Sequence, residues 1–124
     1  MRVLLTDDQT QMRLALRRLL EQEPELTVVG EAAEAKDLLT QVQKTQPDLV
    51  LLDWELPGLQ AADLLLTMHS HYCPLKVVAF SERREARQEA LAAGADAFIS
   101  KEDPQEKLLT TLRKVGGLSP RYVG

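Results

Sequence analysis

Three aspartates, a serine and a lysine in this chain fall where their side chains could act together. Asp7-Asp8 follow Val3-Leu4-Leu5-Thr6, and Asp53 follows Leu49-Val50-Leu51-Leu52. Ser81 follows Val77-Val78-Ala79-Phe80, and Lys101 follows Ala97-Phe98-Ile99-Ser100. Each run is short, apolar and strand-like, and each stops at a polar or charged group. Crowded carboxylates repel one another and ionise together only with difficulty. A hard divalent cation relieves the repulsion, and Mg2+ favours a few carboxylate oxygens supplemented by water and phosphate. One carboxylate of such a cluster is then free to act as nucleophile toward a phosphoryl donor. The transferring phosphoryl group spreads negative charge over its equatorial oxygens, which the cation, the Lys101 ammonium and the Ser81 hydroxyl could share. Asp53 is the best nucleophile candidate, because it ends the central strand in the middle of the cluster.

These groups can meet only if the strands end on one edge, and the helical segments between them require that. Met12, Ala15, Leu16, Leu19 and Leu20 recur at helical spacing, while Arg13, Arg17 and Arg18 point elsewhere. Pro24 closes that first helix, and Leu26–Gly30 reads as the second strand. Ala35, Leu38, Leu39 and Val42 line a second helix that ends before Pro47. Leu49–Leu52 is apolar without alternation, the mark of a strand covered on both faces. After the Pro57-Gly58 turn a Leu-rich third helix is expected over Leu59–Ser70. A charged fourth helix is expected over Arg83–Ala93 with Gly94 as its stop. The last helix is expected to start with Asp103 as N-cap, Pro104 as its first residue and Glu106 as the reciprocal capping residue. Leu108, Leu109, Leu112 and Val115 form its buried stripe, and Gly116-Gly117 ends it.

Strand and helix thus alternate five times. That pattern is an α/β fold: a single (βα)5 doubly wound parallel sheet with right-handed crossovers. In the strand order 2-1-3-4-5 the switch point lies between strands one and three, where Asp7, Asp8 and Asp53 end. Residues 1–116 form the one domain, and 117–124 form a C-terminal tail or truncated linker.

The 124 residues carry a net charge of −4, which argues against a surface built to bind a nucleic-acid backbone. No apolar stretch is long enough to span a bilayer, and Met1-Arg2 leads straight into a strand without a signal-peptide pattern. Cys73 is the single cysteine, so an intramolecular disulfide is impossible, in keeping with a cytoplasmic setting.

Taken together, these residues resemble the receiver domains of two-component response regulators. The resemblance covers Met1 to Val115. It rests on Asp7-Asp8, Asp53, the Asp53-Trp54-Glu55-Leu56-Pro57-Gly58 loop, Ser81, and Gly94-Ala95-Asp96-Ala97-Phe98-Ile99-Ser100-Lys101. The stretch from Asp8 to Leu20 and the Gly-Ala-Asp segment look most like receivers of LuxR-type regulators. The resemblance implies a flavodoxin-like receiver fold and a phosphoryl group passed to Asp53 from a histidine kinase or phosphotransfer protein. It implies a Mg2+ site in which Asp8 binds directly, Asp7 helps through water, and Asp53 and the Glu55 backbone carbonyl complete the ligands. Lys101 would contact the phosphoryl group, Ser81 would swing toward it, and Phe98 would be the aromatic switch. The fourth helix, fifth strand and fifth helix would be the output face. A homodimer would form through that face or through the first and fifth helices. The implied role is signalling and not enzymic turnover, with catalysis limited to the domain's own phosphorylation and dephosphorylation. Glu82, Trp54 and Leu56 depart from the family pattern, and Glu55 and Arg83 stand at variable positions that tune dephosphorylation in the family.

Plainer readings exist for several residues. Ser81 could serve as a helix N-cap, Lys101 could be a loop lysine, and Phe98 could be a core-edge aromatic. His69 and His71 have the wrong spacing for a helical metal pair and read as solvated. Cys73 reads as an inert loop residue. Arg83, Arg84 and Arg87 with Glu82, Glu85 and Glu89 read as a solvated helix face with weak ion pairs. The chief rival function is a receiver-like protein-binding module that acts without phosphorylation, for which Glu82 is the best support. An aspartyl phosphatase would show two Asp separated by one residue, and a flavin carrier would not place Asp7-Asp8 against a phosphate.

Overall fold

A computed structural model of the protein describes residues 1–72 and 74–120; Cys73 and the end of the C-terminal segment lie outside the described residues. The strands are β1 (Arg2–Thr6), β2 (Thr27–Ala32), β3 (Leu49–Asp53), β4 (Lys76–Ser81) and β5 (Ala97–Ser100). They alternate with α1 (Thr10–Glu21), α2 (Ala35–Thr45), α3 (Ala61–His71), α4 (Ala86–Ala92) and α5 (Gln105–Val115). The sheet runs β2-β1-β3-β4-β5 and all its pairings are parallel. The fold class is as the alternation implies, and the strand order is the expected 2-1-3-4-5.

Side-chain alternation along each strand divides the core into two layers. Leu4, Val50, Leu52, Val77, Ala79 and Phe98 face α2, α3 and α4. Val3, Leu5, Leu49, Leu51, Val78, Phe80 and Ile99 face α1 and α5. All five residues of β3 are buried, because this strand has a neighbour on each side and helices above and below. Among the described residues no helix is long and apolar enough to cross a membrane.

Three helix starts differ from the sequence expectation. The fourth helix begins at Ala86 and not at Arg83. The Ser81 hydroxyl accepts the Arg83 N–H at 2.9 Å, and Ala86 N–H reaches back to the Arg83 carbonyl at 3.0 Å, so the chain turns tightly before it coils. Asp103 does not cap α5. Pro104 is the N-cap, and the helix start has no side-chain cap hydrogen bond. Asp103 instead accepts the Ser100 N–H at 3.0 Å and donates its own N–H to the Ser100 carbonyl at 2.9 Å, closing the turn after β5. That backbone hydrogen bond, with Lys107 and Arg84 nearby, holds the Asp103 carboxyl below the usual carboxylate range. The third helix starts at Ala61, two residues past the expected Leu59, and β2 runs on to Ala32.

His69 is not fully solvated. It is half-buried, with Nε2 4.0 Å from Asp96 Oδ2 at the start of β5, while His71 is exposed. The charged stretch around α4 is exposed as expected, but its ion pairs leave the helix. Arg83 pairs with Glu55, and Arg84 approaches Glu102 and Asp103.

Candidate functional site

The parallel sheet delivers Asp7, Asp53, Ser81 and Lys101 to its carboxyl edge. Asp7 follows β1 directly and is completely buried, whereas Asp8 is exposed. Asp53 is the last residue of β3 and is 1% exposed. One carboxylate oxygen from each of Asp7, Asp8 and Asp53 lies within 4.8 Å of the others.

Hydrogen bonds fix the cluster from several sides. Gln9 N–H donates to Asp7 Oδ1 at 2.8 Å, and Lys101 Nζ donates to Asp7 Oδ2 at 2.8 Å. Lys101 Nζ also stands 3.4 Å from Asp53 Oδ1 and 4.7 Å from the centre of the Phe80 ring. Glu55 N–H donates to Asp53 Oδ1 at 3.0 Å. The ammonium therefore sits on the two buried carboxylates, with an aromatic face as its floor.

Protonation follows from this geometry. Burial pushes the Asp53 carboxyl up to about 6, against the Glu55 N–H and the Lys101 charge, which favour its ionised form. The Asp7 and Glu55 charges push it further up. Burial pulls the Lys101 ammonium down, but the hydrogen bond to Asp7 and the Asp53 and Asp7 charges outweigh that, and its pKa stands above the ordinary value. Lys101 is thus charged at neutral pH, while Asp53 is held near the point of ionisation, a state that a further cation would resolve.

The edge assembles Asp7, Asp8, Asp53 and Lys101. Ser81 is fully buried at the end of β4, but its hydroxyl is engaged elsewhere: it donates to Glu55 Oε1 at 2.7 Å. The plainer reading of Ser81 as a helix N-cap does not hold, since α4 starts five residues later with Glu85 as its N-cap. Phe98 lies in β5 opposite Ala79, 6% exposed, in the layer that faces α2–α4. Trp54 is 5% exposed and packs in that same layer, which accommodates its bulk. Glu82 is exposed.

Two positioning residues escaped the sequence reading. Thr6 is fully buried; its hydroxyl accepts the Asp53 N–H at 2.8 Å and donates to the Leu51 carbonyl at 3.0 Å. A hydroxyl inside an otherwise apolar run, one residue before the acidic pair, was the available signal. Arg13 Nη1 donates to the Asp7 carbonyl at 2.6 Å while Nε pairs with Glu31, tying α1 and β2 to the loop that carries the acids.

The chain matches the response regulator receiver domain model over residues 3–113. It is 36% identical over 118 residues to a protein-glutamate methylesterase/protein-glutamine glutaminase of Pyrococcus abyssi, covering 92% of this chain and 31% of that protein. It is 32% identical over 114 residues to the nitrate/nitrite response regulator protein NarL of Escherichia coli, covering 90% of this chain and 53% of that protein. The chain therefore spans about a third to about a half of these curated relatives. Among solved structures, the receiver domain of the response regulator NarL from Mycobacterium tuberculosis superposes with a TM-score of 0.86 at 26% identity, covering 94% of this chain and 95% of that one. The response regulator domain of Thermotoga maritima CheB superposes with a TM-score of 0.83 at 26% identity, covering 97% and 98%. The chain belongs to the response regulator receiver domain family, the phosphoacceptor domains of two-component signalling.

Proposed function

We propose that Asp53 is the phosphoacceptor and that its partner in transfer is a histidine kinase or phosphotransfer protein in the cytoplasm. The observation that carries this is the placement of one nearly inaccessible carboxylate at the end of the central strand. Two further carboxylates lie within 4.8 Å of it and an ammonium stands 3.4 Å away. An Asp53 oxygen would attack phosphorus, the P–N bond to the donor imidazole would break, and the imidazole nitrogen would leave with a proton from solvent. Lys101, already poised on Asp53, would neutralise the negative charge that arrives.

The donor set suits magnesium: three carboxylates with hard oxygen atoms, one of them exposed enough to keep water. Asp8, Asp53 and the Glu55 carbonyl would hold it, with Asp7 acting through water because Lys101 already occupies one of its oxygens. Bound there, the ion would supply charge neutralisation for the acidic cluster and for the incoming phosphoryl oxygens. Ser81 and Phe98 would report the modified state to the surface of α4, β5 and α5. Residues 1–116 would act as the receiver unit. The segment 117–124 would be a tail or linker, its beginning held by Leu118 packing under α5.

Intact-mass measurement after incubation with phosphoramidate tests the reading. The expected result is one added phosphoryl group that requires Mg2+ and is absent from Asp53→Asn. A folded protein that gains no mass at any time point would instead support the phosphorylation-independent binding module.

A further inference from the structure

The Ser81 hydroxyl has one hydrogen to give, and Glu55 holds it. Ser81 Oγ donates to Glu55 Oε1 at 2.7 Å and accepts the Arg83 N–H at 2.9 Å. The second oxygen of the same carboxylate, Oε2, takes the Arg83 guanidinium at 3.2 Å. The Glu55 N–H, meanwhile, donates to Asp53 Oδ1 at 3.0 Å, so the loop carrying this carboxylate is itself fastened to the acceptor. Ser81 is fully buried, so its hydroxyl must find its partners within the protein. A hydroxyl committed to a carboxylate cannot at the same time donate to an anion on Asp53.

We propose that the Glu55 side chain is an autoinhibitory catch. It competes with the phosphoryl group for the single Ser81 proton, and Arg83 braces it in the holding position. Glu55 and Arg83 are about half exposed while Ser81 is buried, so the catch can swing out to solvent without disturbing the core. The free energy of releasing it is subtracted from that of binding any anion on Asp53. Glu55 acts through Ser81 and is a positioning residue. This inference rests on the phosphoacceptor reading above.

The test uses beryllofluoride as the anion at saturating Mg2+. Trp54, the only tryptophan and the neighbour of Asp53, gives the fluorescence signal. Four proteins are compared with the wild type: Glu55→Ala, Glu55→Gln, Ser81→Ala and the Glu55→Ala/Ser81→Ala pair. Glu55→Ala is expected to bind beryllofluoride about tenfold more tightly, the scale of one charge-assisted hydrogen bond net of its replacement. Glu55→Gln keeps an acceptor for the hydroxyl without the charge and is expected to bind within about threefold of wild type, the amide being the weaker acceptor. In the Ser81→Ala background, removing Glu55 is expected to bring little gain. Equal gains from Glu55→Ala and Glu55→Gln, or an undiminished gain without Ser81, would mean simple charge repulsion and would overturn the catch. Binding by none of the folded proteins would overturn the phosphoacceptor reading together with the catch, whereas binding without coupling would overturn the catch alone.

Discussion

The hydroxyl of Thr6 is hydrogen-bonded to the backbone of Asp53, accepting its N–H at 2.8 Å, and donates to the Leu51 carbonyl at 3.0 Å. It spans β1 and β3 beyond the last paired residues of their ladder, Leu5 and Leu51. The terminal N–H of the central strand is thereby satisfied by a side chain where no backbone partner from β1 is in register.

Replacing Thr6 by Val keeps the shape and removes the acceptor. A buried N–H left unpaired costs about 1–3 kcal/mol. Urea denaturation should show Thr6→Val destabilised by about that much, with Thr6→Ser much closer to wild type. A valine variant as stable as the parent would mean that the Asp53 N–H is satisfied some other way.

Asp53 gives the metal-free domain an unusual dependence on pH. Its carboxyl is held at about 6 in the folded state against 3.8 ordinarily, mainly by burial. A raised acid pKa means that the folded state binds the proton more tightly than the unfolded chain. Its contribution is therefore fully present below about pH 4 and is lost as pH rises through 6. The loss is roughly 2–3 kcal/mol at neutral pH. In EDTA, Asp53→Asn should be more stable than wild type by that amount at pH 7, and the gap should close toward pH 4. Paired denaturation curves across this range decide it, and a gap independent of pH would show that burial does not hold the proton on Asp53.

Much of this was legible from the chain. The four groups at the sheet edge could be named because each ends an apolar run, and a parallel sheet brings such ends together whatever the packing details. The two core layers follow from alternation in the strands. What could not be read were choices among hydrogen-bond partners distant in sequence. Asp103, Pro104 and Glu106 fit a helix-start pattern, yet the free N–H of Ser100 lay closer to the Asp103 carboxylate. Ser81 fits an N-cap, yet Glu55, 26 residues away, takes its proton. Thr6 reads as the end of a strand, and it is, but its hydroxyl serves Asp53, 47 residues on, which no local pattern shows. Local pattern sets the element, and tertiary proximity decides which polar group satisfies which.

Lys101 should be required in two separable ways. It is the ammonium in contact with both buried carboxylates, 10% exposed itself. Lys101→Met would leave Asp7 and Asp53 facing each other without compensation, a change that typically costs about 3 kcal/mol for a buried pair. Added Mg2+ should recover part of that stability, because it binds the folded acidic cluster and not the unfolded chain; at ten times its Kd the gain is about 1.4 kcal/mol. Phosphorylation by phosphoramidate should remain slow even with Mg2+ present, by roughly a hundredfold, since one charge-stabilising donor is missing. Thermal melts and mass-detected rates on the same preparation separate the two effects. Full recovery of both with Mg2+ would reduce Lys101 to a neutralising charge.

Arg113 ties the end of α5 to the opposite end of the domain from Asp53. It is 6% exposed, its Nη2 donates to Glu25 Oε1 at 2.5 Å, and its Nε donates to the Ser119 carbonyl at 2.8 Å. Leu118 N–H returns to the Arg113 carbonyl at 2.8 Å, so the chain after Gly117 (φ 75°) folds back on its own helix. One guanidinium thus fixes both the turn before β2 and the path by which the chain leaves the domain. Arg113→Met removes the charge but keeps the aliphatic bulk. It should cost about 1–2 kcal/mol, because the half-exposed Glu25 and the Ser119 carbonyl lose a shared donor. Amide exchange at Leu118 should quicken well before exchange in β3, since a segment opens locally when its tether is cut. Arg113→Lys, with no planar fork to reach both partners, should recover little of either effect. Unchanged protection at Leu118 in the methionine variant would show that apolar packing alone holds the segment.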